Sequence, residues 1–95
     1  MKYVVIELAE DQVLSAHIEN SAAGALDYAT DIVYKAVLSF MGSNESEEDM
    51  VAAIIPSGNK EDAKLYSLME AIYSILSEDK TYSVGAYSVS IITAT

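Results

Sequence analysis

"VLSAHIEN", Val13 to Asn20, reads in two ways, and the choice sets the number of strands. As a strand it puts Leu14, Ala16 and Ile18 on one face and Ser15, His17 and Glu19 on the other. As a helix it groups Val13, Leu14, His17 and Ile18. The preceding run, "KYVVIEL" from Lys2 to Leu8, carries three consecutive β-branched residues and reads as a strand. Only the short polar "AEDQ" separates the two runs, which favours an N-terminal hairpin. Val13 to Asn20 is therefore read as the second strand.

Downstream, "SAAGALDYATDIVYKAVLSFMG" predicts a helix near residues 22–41. Leu26, Ala29, Ile32, Val33, Ala36, Val37 and Phe40 recur at helical spacing. Ser21 is the expected cap, and Gly42 the expected stop. "MVAAIIPSG" is a short apolar run halted by Pro56 and reads as a buried strand. "NKEDAKLYSLMEAIYSILSEDK" predicts a second helix near 60–77, with Asn59 and Asp62 as a capping pair. Its expected inner face is Leu65, Met69, Ile72, Tyr73 and Leu76. "TYSVGAYSVSIIT" reads as one last strand, Tyr87, Val89 and Ile91 alternating with Ser88, Ser90 and Ile92, with Gly85 at a bulge. The expected order is β-β-α-β-α-β. Right-handed crossovers would then place both helices on one face of a four-stranded mixed sheet, an α+β two-layer sandwich. The last strand has no lysine or proline to protect an edge, so a homodimer through it is expected.

The 95 residues make a single domain, 1–95, with 52% hydrophobic residues to build a core. With no cysteine, disulfides, thiolate metal sites and thiol catalysis are excluded. No apolar run reaches the ~18 residues of a membrane span, and the N-terminus lacks a secretory pattern. A cytoplasmic protein without membrane contact is expected. The net charge is -10, and all five basic residues are lysines. Arginine is the preferred bidentate clamp for phosphate and guanine. Such a chain should repel nucleic acid and attract basic protein surfaces.

His17 is the only histidine. Ser15, His17 and Glu19 suggest a nucleophile, a base and an orienting acid. Alternate residues on a strand face stand about 7 Å apart, too far for the direct bonds of a triad. No catalytic residue, enzyme activity or cofactor is expected. The turn Ser57, Gly58, Asn59 and Lys60 links the expected third strand to a helix and is a candidate anion or nucleotide site. The phosphate-loop pattern is missing, and Glu61 and Asp62 already occupy the first helical turn.

"SNESEEDM" concentrates Glu45, Glu47, Glu48 and Asp49. It lacks the glycine and ligand spacing of a calcium loop, so no metal is expected. Ser46 can instead cap a turn whose start is acidic. Solubility needs a net charge of only about 2–8 in magnitude, and the excess points to recognition. Glu45, Glu47, Glu48 and Asp49, with Asp27 and Asp31 of the first helix, form the expected partner-binding surface. Small acidic proteins of this kind include phage antagonists of host defence, immunity proteins and mimics of nucleic acid. A stoichiometric inhibitor or adaptor for a basic, nucleic-acid-binding protein is the leading expectation. A ligand-sequestering protein using the Ser57–Lys60 turn and a structural subunit of a larger assembly are the alternatives.

Overall fold

The computed structural model describes residues 1–41 and 45–94. Gly42, the expected helix stop, lies outside them, as do Ser43 and Asn44. The first strand, β1 (Lys2–Ala9), turns through Glu10 and Asp11 into β2 (Gln12–Glu19), so Val13 to Glu19 is strand. Glu10 and Asp11 have φ of 51° and 65°. A two-residue turn with both φ positive follows the right-handed twist of paired strands, which explains the tight hairpin. The pairing shifts register between Glu7 and Leu8, where an extra β2 residue is accommodated.

Helix α1 (Ala22–Met41) matches the expected range. Ser21 Oγ accepts from the Gly24 N–H at 2.9 Å and starts it. Its buried residues are Ala25, Ala29, Thr30, Val33 and Val37, while Phe40 is 62% exposed. The buried Thr30 hydroxyl donates to the Leu26 carbonyl at 2.7 Å, so no polar atom there is left unpaired.

The middle of the chain departs from expectation. "MVAAII" is not a strand; it lies in helix α2 (Glu47–Ile54) and at its C-cap. Ser46 caps α2 by accepting from the Asp49 N–H at 3.1 Å, and Glu47, Glu48 and Asp49 fill the first turn. Capping plus carboxylates at the positive helix end, followed by Ala52 and Ala53, outweigh the β-branched residues of the run. The helix expected near 60–77 is two helices, α3 (Lys60–Ala63) and α4 (Leu68–Asp79). Ser67 interrupts it with an extended backbone and makes a full capping box with Glu70. Asn59 caps α3 through the Glu61 N–H at 2.7 Å, and the expected Asp62 partner does not take part. The restart rotates the helix. Leu68, Ala71, Ile72 and Leu76 turn inward, while Leu65, Met69 and Tyr73 are 74%, 39% and 43% exposed.

The last strand is also a hairpin, β3 (Thr81–Val84) and β4 (Tyr87–Ala94). Gly85, at φ 57°, forms its turn with Ala86 rather than a bulge. The order is β-β-α-α-α-α-β-β. The sheet runs β2-β1-β4-β3 with every neighbour antiparallel, so it is not mixed. Once the middle run is helical no crossover strand remains, and two hairpins joined through β1 and β4 give an α+β fold. β4 lies between β1 and β3, and β3 pairs with Tyr87 to Ser90, so that half of the last strand is not an edge.

Helices α1 and α4 pack on each other, α1 against β1, β2 and β4, and α4 against β3. Val5, Tyr82, Tyr87 and Val89 point into the resulting core from the sheet. Among the described residues no helix is long and apolar enough to cross a membrane. Replacing Ser67 with alanine should cost about 1 kcal/mol, the usual worth of such a cap. Urea denaturation checks this. Ser67→Ala and Glu70→Ala together should cost less than the sum of the two, because they break one reciprocal device.

Candidate functional site

The acidic surface is built on the start of α2. The four acids do different things there. Glu47 Oε2 accepts from the Leu68 N–H at 3.3 Å, joining the start of α2 to that of α4. Asp49 Oδ1 meets Lys60 Nζ at 2.9 Å. The hydrogen bond from Lys60, then one from the Ser46 hydroxyl, holds the Asp49 carboxyl below its usual range. In return Asp49 holds the Lys60 ammonium above its usual value, with Glu48 and Glu45 adding smaller attractions. Lys60 therefore stands among Glu45, Glu48 and Asp49, although it is remote from them in sequence. Glu45 is exposed and Glu48 half-buried, and neither takes part in an ion pair among the described residues.

Asp31 pairs with Lys35 along α1 at 3.0 Å, with both side chains well exposed. Asp27 is exposed one turn earlier. Helix α2 packs on α3 and α4. Among the described residues no bond joins the Asp27–Asp31 stripe to the α2 cluster.

The Ser57–Lys60 turn is largely occupied by itself. Ser57 Oγ accepts from the Asn59 N–H at 3.2 Å, Asn59 caps α3, and Lys60 faces Asp49. Gly58 takes φ of 64°, which favours glycine. A cavity of about 410 Å³ opens beside the turn, lined by Ile55, Pro56, Ser57, Leu65, Tyr66 and Asp62 among others. Its charged lining residue is an acid, and a carboxylate there opposes an anion.

The inner face of the sheet holds a polar cluster that sequence reasoning missed. Glu7 Oε1 accepts from Ser15 Oγ at 3.1 Å and Glu7 Oε2 from Tyr87 Oη at 2.7 Å. An acid in the middle of the apolar run "YVVIELA" was the available signal, because a half-buried carboxylate needs donors. Burial first, then the Glu7 bond and charge, push the Tyr87 hydroxyl far above its ordinary pKa. The Ser15, His17 and Glu19 set divides. His17 Nε2 and Glu19 Oε2 are 2.5 Å apart, which corrects the expectation that they could not touch. The side chains lean along the strand and close the spacing. His17 also stacks on Tyr28 of α1, with centroids 3.8 Å apart. Ser15 bonds Glu7 instead, so no nucleophile–base pair forms. A Cβ on Gly24 would come within 2.6 Å of Glu19 Oε1, so this glycine gives Glu19 room beside the start of α1. There the helix dipole favours a carboxylate.

A groove of about 650 Å³ lies at the end of the sheet, between the strands and the last turns of α1. Val37, Phe40, Tyr82, Val84 and Tyr87 give it an apolar wall, and Glu7 and Glu10 border it. Among the described residues no group of three or more potential metal ligands is brought together. Comparisons with protein families, with characterised proteins and with solved structures find no match to this chain.

Proposed function

We propose that this chain is a non-enzymatic interaction protein, a stoichiometric inhibitor or adaptor for a basic protein that itself binds nucleic acid. The reading treats the helices and the sheet as two layers, with the helical layer presenting the acids. The observation that supports it is the carboxylate density at the start of α2. Glu45, Glu47, Glu48 and Asp49 lie there, and among the described residues Lys60 is the one cation drawn in beside them. A chain of net charge -10 without arginine gives a basic groove the fixed negative charge it expects from phosphates. Asp27 and Asp31 extend the surface along α1.

The roles within the site sharpen the test. Glu47 and Asp49 hold α2 in place, so their removal would confuse folding with binding. Glu45→Gln and Glu48→Gln, with Asp27→Asn and Asp31→Asn, strip four charges from groups without buried partners. Circular dichroism should show the parent fold. The immobilised protein should retain a basic protein at physiological salt and release it as salt rises, since exposed charges are screened beyond about 8 Å. The purified partner should lose its nucleic acid at about one equivalent of this chain. The quadruple variant should bind it at least tenfold more weakly, mostly through slower association, as surface charges act by steering. A folded variant that binds like the parent would reduce the acids to solvation and helix initiation.

A further inference from the structure

The sheet has a second face that no described helix covers. Cross-strand pairing puts Val4, Ile6 and Leu8 of β1 on it, opposite Ile18, Ala16 and Val13 of β2. Ile92 of β4 pairs with Val4 on the other side. Val13, Ile18 and Ile92 are 63%, 60% and 48% exposed, and the β1 residues are only half-buried. The opposite face holds Val5, Tyr82, Tyr87 and Val89, all buried against the helices. Ser88 and Ser90 of β4 and Thr81 and Ser83 of β3 share this face, so its apolar part is the β1–β2 side with Ile92, and an open apolar surface there marks a contact surface in a folded domain.

Charge says what covers it. The chain carries 15 acids, and none lies on this face. The strands hold only Glu7 and Glu19. Glu7 is in register with Ser15 and Val89, and Glu19 with Tyr3, all on the inner side. The remaining acids occupy the first turn, the helices and their connections. Among the described strand residues Lys2 is the single charged one on the open face. A basic partner would find no carboxylate there. A second copy would find an apolar surface matching its own, with both acid-bearing helical layers turned away from the contact.

We propose that this face is the interface between two copies of the chain, packed sheet on sheet about a twofold axis. Aligned sheets stack about 10 Å apart, crossing at about 30°. β1, β2 and β4 have eight residues each and β3 four, so the face runs about 27 Å along its long strands and about 19 Å across where all four are present. Two such faces bury on the order of 1,000 Å², about the threshold for a specific interface. An interface at this low end of the size range belongs with weak, reversible association. It needs neither an edge strand nor the acidic surface, so it is independent of the proposed inhibitor role.

Salt separates the two. Two chains of charge -10 repel at a distance, and screening relieves that repulsion. Self-association should tighten as salt rises, whereas binding to a basic partner should weaken. Sedimentation equilibrium of the wild-type chain at low and high salt is the primary measurement. A dimer that grows with protein concentration and gains several-fold in affinity at high salt is expected. Ile18→Glu with Ile92→Glu should give a monomer. Ile18→Thr with Ile92→Thr keeps the β-branched shape, guards against misfolding, and should weaken the dimer at least tenfold. Leu65→Glu, at a 74% exposed position away from the sheet, should dimerise like the parent. A wild-type chain that stays monomeric at sub-millimolar concentration and high salt overturns the proposal. So does a dimer that survives the folded threonine variant or is lost in Leu65→Glu.

Discussion

Ile72→Ala should cost about 3 kcal/mol of stability, within the range for removing a buried branched side chain from a close-packed core. Ile72 is 0% exposed on the inner row of α4, between Leu68 and Leu76, where the helix meets α1 and the core. A domain of this length has only about 5–14 kcal/mol in total, so one substitution removes a large share. The paired measurement is Leu65→Ala. Continuous helical spacing across 60–77 places Leu65 inside with Ile72, but the break at Ser67 leaves it 74% exposed. Its truncation should change stability by less than about 0.5 kcal/mol. Urea midpoints of the two variants read the helix phase directly. Equal losses would mean that α3 and α4 are one continuous helix.

The same break shows where sequence legibility stops. The hairpin was legible because alternation, β-branching and a short polar turn agree over Lys2 to Glu19. α1 was legible because 20 residues of one periodicity average out local exceptions such as Gly24. The run "MVAAII" was not, because a short apolar stretch fits a buried strand and a buried helix turn equally well. The deciding residues lay just before it. Ser46 and three acids announce a helix start, and here they outrank the pattern that follows. Ser67 and Glu70 carry the same signature inside a longer apolar periodicity that conceals it. Mistaking one helix for a strand also created the mixed sheet, since crossovers were needed only to reach that strand.

Of the candidate site, charge density was legible and the division of labour was not. That Lys60 reaches Asp49 depends on how α2 packs on α3, a tertiary fact without a local pattern. By sequence the two residues belong to separate surfaces, one a candidate anion turn and the other a partner-binding cluster. Glu47 is exposed, and its bond from the Leu68 N–H at the start of α4 has no local pattern in the sequence. His17 and Glu19 meet because side chains lean along a strand, a direction that Cα spacing alone does not carry.

The second large effect is alkaline unfolding, and it originates on the inner sheet face. Tyr82 and Tyr87 are 8% and 7% exposed, and both hold their protons more tightly than a free tyrosine. For Tyr82 the cause is burial; for Tyr87 it is burial, then the hydrogen bond to Glu7, then the Glu7 and Tyr82 charges. The unfolded chain releases these protons near pH 10. Above that pH the unfolded state binds fewer protons than the folded state, so stability falls as pH rises. The contribution is fully present below about pH 10 and is lost progressively up to the raised folded values. Tyr87, whose rise is the larger, should cost up to about 1.4 kcal/mol per pH unit in that window, and Tyr82 adds to it in the same direction. The urea midpoint should hardly move between about pH 8 and 9.5 and fall steeply beyond. Tyr87→Phe should remove most of the slope. Glu7→Gln keeps a hydrogen-bond acceptor but removes the charge, so Tyr87 should ionise at lower pH while the fold persists, as tyrosinate absorbance would record. If the midpoint is as flat above pH 10 as below it in the parent chain, these two hydroxyls are not held in the core, and the Glu7–Tyr87 bond is not part of the folded state.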